Sequence, residues 1–199
     1  MPPCRKPSRA SVSSRLVPLR LRLALRALAA GGVVACPTEA VWGLSCDPGN
    51  ASAVQRLLAL KGRAPAKGLI MVAASEHQLE FLLAGLGRVQ RETLSASWPG
   101  PATWLVPHAG RVPVWVHGAH DTVAVRVSDH PAIRTLCCAW GGPLVSTSAN
   151  PAGRQPPRQG FQVKRYFGEQ LDYMLPGAVG QSSRPTEIRD LASGQIIRL

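Results

Sequence analysis

The chain has 199 residues, 45% of them apolar and 17% charged, with 19 glycines and 18 prolines; this suits one globular domain with a sizeable core and excludes both wholesale disorder and a collagen-like repeat. Aromatics make up only 5%, so base stacking is not a dominant theme, and the longest uncharged apolar run, Ala27 to Pro37, is shorter than the roughly 20 residues a membrane-spanning helix needs. The formal net charge of +12 is uneven: the first 38 residues hold seven cations (Arg5, Lys6, Arg9, Arg15, Arg20, Arg22, Arg26) and no acid, while from Glu39 onward 16 basic residues face 11 acidic ones, a balance of +5 that favours anionic partners only mildly.

In chain order, residues 1–18 read as a disordered basic tail. An Arg- and Ser-rich, acid-free start also suits a mitochondrial transit peptide, but Pro2, Pro3, Pro7 and Pro18 spoil an amphipathic helix, so a solvated tail of a cytoplasmic protein is preferred. Leu19 to Ala30 reads as a helix closed by Gly31 and Gly32. Val33 to Cys36 is a short apolar run before Pro37 and reads as a buried strand. Ala51 to Lys61 is helical, with Val54, Leu57, Leu58 and Leu60 as its apolar face and Gly62 as its stop. Leu69 to Ala73 is a second buried strand; Glu76 to Leu83 and Val89 to Ser97 are helices; Thr103 to Val106, Thr122 to Val127 and Leu144 to Thr147 are strands. Pro131 to Ala139 is a helix with Asp129 as its cap. Weaker strands occupy Tyr173–Leu175, Glu187–Leu191 and Gln195–Leu199. Strands and helices alternate without repeats, which predicts a single α/β domain over residues 19–199 with a mixed sheet.

The five cysteines (Cys4, Cys36, Cys46, Cys137, Cys138) are odd in number and contain no C-x-x-C, so free thiols in a reducing compartment are expected rather than a disulfide framework or zinc site. His117 and His120 stand three apart with no third ligand nearby, and no metal role is assigned to them.

Four polar clusters fall at the ends of the expected elements, where α/β folds place their sites. Thr38 opens the first, in Pro37-Thr38-Glu39-Ala40-Val41-Trp42-Gly43, which equally suits a capped turn. The second packs Lys61, Arg63 and Lys67 into a turn stiffened by Pro65 and bounded by Gly62 and Gly68. Several cations converging on one loop suit a polyphosphate, although Lys61 alone could simply complement a helix C-terminus. In the third, strand alternation puts Thr122, Ala124 and Arg126 on one face. An arginine among small residues needs an anion, supplied either by a ligand or by Asp121 or Asp129. The fourth, Ser146-Thr147-Ser148-Ala149-Asn150, can bond phosphate and ribose oxygens or form an ordinary Ser-rich turn. No Walker A loop, G-x-G-x-x-G or G-x-S-x-G elbow is present, and the dispersed acids offer no carboxylate pair.

Taken together, PTEAVWGLSCDP, LKGRAPAKGLIMV, SWPGPATWLVP, VAVRVSDHP and PLVSTSAN-x-x-G resemble, in order and spacing, the threonylcarbamoyl-adenylate synthase family (YrdC-like, TsaC type), in its short stand-alone form. The likeness covers about residues 20–199. It implies a twisted mixed sheet curved around a basic cavity, and an enzyme that joins L-threonine, bicarbonate and ATP into threonylcarbamoyl-AMP and pyrophosphate. Downstream transferase proteins would then modify adenosine 37 of tRNAs reading ANN codons. By resemblance, Thr38, Arg126 and Ser146 bind threonine; Lys61, Arg63, Lys67, Thr122, Ser148, Asn150 and Arg198 bind ATP, with Lys61 and Arg63 as the catalytic cations. Mg2+ would ride on the ATP phosphates, with no dedicated metal site. The sequence departs from the family where Val72 replaces a threonine-contacting His, Pro156 a Ser, Lys67 an Asn, and Pro151-Ala152-Gly153 a Leu-Ser-Gly. The competing reading is a non-catalytic module binding double-stranded RNA or tRNA, against which stand the lack of stacking aromatics beside the cations and of RNP or KH motifs.

Overall fold

The computed structural model describes residues 18–182 and 186–198; the tail expected over 1–18 falls, apart from Pro18, outside them. Helix α1 (Leu19–Ala29) buries Leu21, Ala24 and Leu28, one stripe of a helix, and ends at Gly31 with φ +78°. Strands β1 (Val34–Pro37) and β2 (Trp42–Cys46) form an antiparallel hairpin. Helix α2 (Ala51–Lys61) starts where the Asn50 side chain accepts the Ala53 N–H at 3.1 Å and stops at Gly62, φ +60°. Then follow β3 (Ile70–Ala73), a 3₁₀ turn (Glu76–Leu79), α3 (Glu80–Leu83), α4 (Arg88–Ser97), β4 (Ala102–Pro107), α5 (Val114–His117), β5 (Thr122–Val127), α6 (Pro131–Trp140), β6 (Leu144–Ser148), α7 (Gly160–Phe167), β7 (Tyr173–Met174), β8 (Glu187–Asp190) and β9 (Ile196–Arg198).

The nine strands make one mixed sheet in the order β7-β1-β2-β6-β3-β5-β4-β8-β9. Pairs β1/β7, β3/β5 and β4/β8 are parallel, and the other five are antiparallel. Because side chains alternate across a strand, each face can be read from the register. One face carries Ala35, Leu44, Met71, Val125 and Val145 into the larger core, where residues of α2, α3, α4, α5 and α7 meet them. The opposite face is divided. Its one end carries Val34, Cys36, Val72 and Leu144 beneath α1 and α6. Its other end carries Gly43, Ile70, Thr122, Ala124 and Ser146 and opens into a cavity. Arg126, paired in register with Val72, stands at the border.

The residues after Thr38 form a turn, as the sequence allowed, and lead straight back as β2, a strand the sequence did not mark. The structure corrects two expectations. The stretch 76–83 is a 3₁₀ turn followed by one α-helical turn. Helix α6 is capped not by Asp129 but by His130, whose side chain accepts the Ala132 N–H at 3.3 Å. Of the cysteines described, Cys36, Cys46 and Cys137 are buried and Cys138 is exposed, all as free thiols.

Candidate active site

The cavity has a volume of about 520 Å³ and draws on every strand from β2 to β9 in the sheet order. Its walls include Thr38, Arg63, Lys67, Thr122, Arg126, Ser146 and Ser148, seven of the residues expected from the sequence, which lie up to 110 positions apart in the chain. The hairpin brings Thr38 to one wall: its hydroxyl donates to the Val41 carbonyl at 2.7 Å, which fixes the turn and leaves the oxygen's lone pairs for a ligand donor. Gly43 lies between Thr38 and Ser146. A Cβ there would stand 3.3 Å from Thr38 Cγ2 and 3.6 Å from Ser146 Oγ, so the bare backbone leaves the space between the two hydroxyl residues open.

The cationic loop follows α2. Arg63 donates from Nη2 to the Gly68 carbonyl at 2.9 Å and from Nε to the same oxygen at 3.2 Å, so the side chain arches over its own loop. That loop is pressed against α5 and the segment after it: Leu69 N–H donates to Val116 O at 2.8 Å and Ala119 N–H to Ala66 O at 3.1 Å. Lys61 is placed differently from its neighbours. It is buried and does not line the cavity. Its ammonium donates to the carbonyls of Ser148 and Asn150, the latter at 2.7 Å, while its own carbonyl accepts the Ala152 N–H at 2.7 Å. It therefore fastens the end of β6 to the end of α2. Burial first, and the Arg63 charge second, bring its pKa down to about 8. Asn150 also turns away from the cavity: its Nδ2 donates to Arg154 O at 2.6 Å and Pro151 O at 3.0 Å. Arg198 pairs in register with Ile188 on β8; its side chain lies outside what is described.

Arg126 is buried, lines the cavity, and makes no side-chain hydrogen bond among the described residues; its Nε is buried and unpartnered. The counter-charge is Glu39, whose Oε2 is 3.2 Å from Nη1. The acids weighed from the sequence are elsewhere. The Asp129 carboxylate lies 3.7 Å from Arg134, and Asp121 forms no salt bridge with Arg126. The reason is topological: the β1–β2 turn passes beside the end of β5, and strand alternation could not show that neighbour. Glu39 Oε1 accepts the Ser128 hydroxyl at 2.6 Å and the Asp129 N–H at 3.2 Å. Burial alone would raise its pKa; Arg126 and these donors outweigh burial and hold it below the ordinary carboxylate value.

Sequence reasoning weighed His117 and His120 only as metal ligands, and they line the cavity beside the cationic loop; it passed over the apolar wall of Leu105, Ile188 and Ile197. The only signal was position, since both histidines immediately precede the strand that bears Thr122 and Arg126. Val72 lies in the smaller core with Leu144 and Cys137, so it offers the cavity no polar group. Pro156 lines the cavity but has no hydroxyl. No aspartate or glutamate lines the cavity among the described residues, nor do the described residues group three metal-binding side chains.

A family model described as "Telomere recombination" (Sua5/YciO/YrdC) matches residues 26–199. Threonylcarbamoyl-AMP synthase of Pseudomonas paraeruginosa is 58% identical over 179 residues, covering 90% of this chain and 96% of the relative. The same-named protein of Halorhodospira halophila is 56% identical over 181 residues, covering 91% and 95%. Among solved structures, P. abyssi Sua5 complexed with L-threonine superposes with a TM-score of 0.82 at 30% identity, covering 88% of this chain and 52% of that one, so the chain spans about half the length of that protein. E. coli YciO, at 22% identity, shares the fold with a TM-score of 0.79, covering 92% and 90%. The chain belongs to the Sua5/YciO/YrdC family.

Proposed function

We infer that this chain is a threonylcarbamoyl-AMP synthase: it condenses L-threonine, bicarbonate and ATP, releasing pyrophosphate, and supplies the threonylcarbamoyl group for t6A in tRNA. The observation that carries this reading is the Arg126 guanidinium, buried at the cavity wall with no side-chain hydrogen bond among the described residues and its Nε unpartnered, in one cavity with a loop bearing Arg63 and Lys67. A planar, bidentate anion answers Arg126, and the α-carboxylate of an amino acid is one. A triphosphate answers the loop. One cavity thus has places for two anions of different shape.

The chemistry asks little covalent work of the protein. The threonine amine adds to CO2 derived from bicarbonate and loses a proton, giving a carbamate. A carbamate oxygen attacks the α-phosphorus of ATP, the bond from that phosphorus to the bridging oxygen breaks, and pyrophosphate leaves. The residues must hold the two anions together and neutralise charge growing on the phosphates. Arg63 and Lys67 do the latter. Thr122 and Ser148 face the nucleotide, and Leu105, Ile188 and Ile197 offer its base an apolar wall. Thr38 and Ser146, on either side of bare Gly43, read the threonine hydroxyl. Lys61 and Asn150 act from behind, by fixing the backbone of residues 148–154. With no carboxylate in the wall among the described residues, Mg2+ is expected to enter with ATP as part of the substrate. The bacterial relatives agree with a cytoplasmic site of action, and no helix among the described residues is long and apolar enough to cross a membrane.

The test is pyrophosphate release together with mass spectrometry of the adenylate formed from labelled bicarbonate. Release that requires both threonine and bicarbonate is expected, and an RNA-binding module would give none. Arg126→Lys keeps the charge but loses the fork, so calorimetry should show threonine affinity falling while ATP affinity holds. Serine should be a poorer substrate than threonine and valine poorer still, because a site built to bond a hydroxyl is left with unpaired groups by its analogue. Loss of ATP affinity with threonine affinity retained in Arg126→Lys would reverse the division of the cavity.

A further inference from the structure

Glu39 does not line the cavity, yet it is the only acid that the structure sets against Arg126 among the described residues. We propose that Glu39 is a positioning residue for the amino-acid substrate: it holds the Arg126 guanidinium charged and in place at the cavity wall, with its hydrogen-bond donors left for the substrate carboxylate. This rests on the reading of Arg126 as the carboxylate site.

Three observations carry it. The side chains of Arg126 and Glu39 are only 7% and 9% exposed, and neither charge is tolerable there without the other. Next, the contact between them is electrostatic and not a spent hydrogen bond: Oε2 is 3.2 Å from Nη1, but both Glu39 Oε2 and Arg126 Nε are buried without a hydrogen-bond partner. The carboxylate balances the guanidinium and leaves its donors unused. Finally, Glu39 is itself anchored from two other segments. Its Oε1 accepts from Ser128 and Asp129, just past β5. Its turn is strapped down by residues 177–182: Gly180 N–H donates to Thr38 O at 2.9 Å and Ser182 N–H to Glu39 O at 3.2 Å. A Cβ on Gly180 would stand 2.7 Å from the Glu39 carbonyl oxygen, so the strap lies as close as two backbones can. A carboxylate fixed this firmly, next to a guanidinium with no other partner, sets where that guanidinium lies. The same turn carries Thr38, so one local structure positions the groups read here as the hydroxyl and carboxylate contacts.

The test is steady-state kinetics of Glu39→Gln, Glu39→Asp, Arg126→Lys and the double variant. Glu39→Gln keeps the shape and removes the charge; the threonine KM should rise about tenfold with the ATP KM within about twofold, and Glu39→Asp should recover most of the loss. In the Arg126→Lys background, Glu39→Gln should add less than about twofold, because its effect passes through the fork already lost. Full additivity, or an ATP KM that rises as much as the threonine KM, overturns the proposal. The two readings fail separately. If Arg126→Lys leaves threonine binding intact, the carboxylate site is wrong. If Arg126→Lys weakens threonine binding and Glu39→Gln does not, only the role of Glu39 is wrong. Should Glu39→Gln not fold, Ser128→Ala decides, since it removes an anchor of Glu39 and keeps its charge: a raised threonine KM supports the proposal and an unchanged one overturns it.

Discussion

Lys61 and Arg126 show what single residues disclose and what they withhold. Both are cations that the sequence places in polar clusters, and both are buried. Their residue types call for oxygen partners, but spacing could not say which: the Lys61 partners are backbone carbonyls of residues 148 and 150, and the Arg126 counter-charge comes from a turn 87 residues earlier. Lys61 has a measurable signature. Folding brings its pKa from 10.5 to about 8. Between those values the unfolded chain holds a proton that the folded chain has released, so stability rises with pH across that window. The gain is about 1.4 kcal/mol per pH unit and roughly 3 kcal/mol over the whole window. Buried thiols oppose it at higher pH. Burial raises Cys36 to about 11 and Cys46 to about 12, and raises Cys137 as well, all from 9.0. Their contribution is therefore complete below pH 9 and lost above it as the unfolded thiols ionise. The Lys61 effect is cleanest between pH 8 and 9. Urea unfolding should show the native chain gaining about 1 kcal/mol over Lys61→Met across that unit. Parallel stability curves for the two proteins would refute the shift.

At the scale of elements, patterns that bury one stripe were easy to read. Helix α2, with its Asn50 cap and Gly62 stop, and strand β5 have the bounds the sequence predicts. The elements that escaped have no stripe or too little length to show one. Strand β2, Trp-Gly-Leu-Ser-Cys, is buried at all five positions, so no polar alternation marks it. Helix α5 is a single turn, and α7 begins on a glycine and runs eight residues. Yet α5 bears on the site, because the segment leaving it packs on the cationic loop. Gly118 there has φ +68° and ψ −131°, a region that glycine alone adopts readily. A Cβ would stand 2.5 Å from Ala66 O and 2.7 Å from Gly68 N. Gly118→Ala should therefore destabilise the protein by about 1–3 kcal/mol and push the loop bearing Arg63 and Lys67 away from its seat. The ATP KM should rise more than the threonine KM. Thermal unfolding and the two KM values check this, and an unchanged melting temperature with unchanged kinetics would show that the loop does not depend on this packing.

For the whole molecule, alternating strands and helices made the single α/β domain legible, but not the division of one sheet face between helices and a cavity. That division depends on which strands become neighbours, a long-range property that local pattern does not carry; the family resemblance implied a basic cavity but not how the sheet face is divided. The molecule's charge also has to be divided. The cavity cations belong to the fold, and its smaller core begins at Leu21 of α1, whereas residues 1–17 contribute Arg5, Lys6, Arg9 and Arg15 and no acid. A chain beginning at Leu19 loses four of 23 cations and none of 11 acids, which lowers the formal charge from +12 to +8. Every residue assigned to the cavity remains, so adenylate synthesis should continue at close to the full-length rate. Affinity for tRNA or double-stranded RNA is a different quantity. It depends on cations near phosphates and weakens with salt, its logarithmic slope changing by about 0.7–0.9 for each phosphate contact. If the tail contributes, truncation should weaken RNA binding and flatten that slope while leaving synthesis alone. Lost synthesis would make the tail part of the enzyme. An unchanged slope would mean that its cations never meet the phosphates.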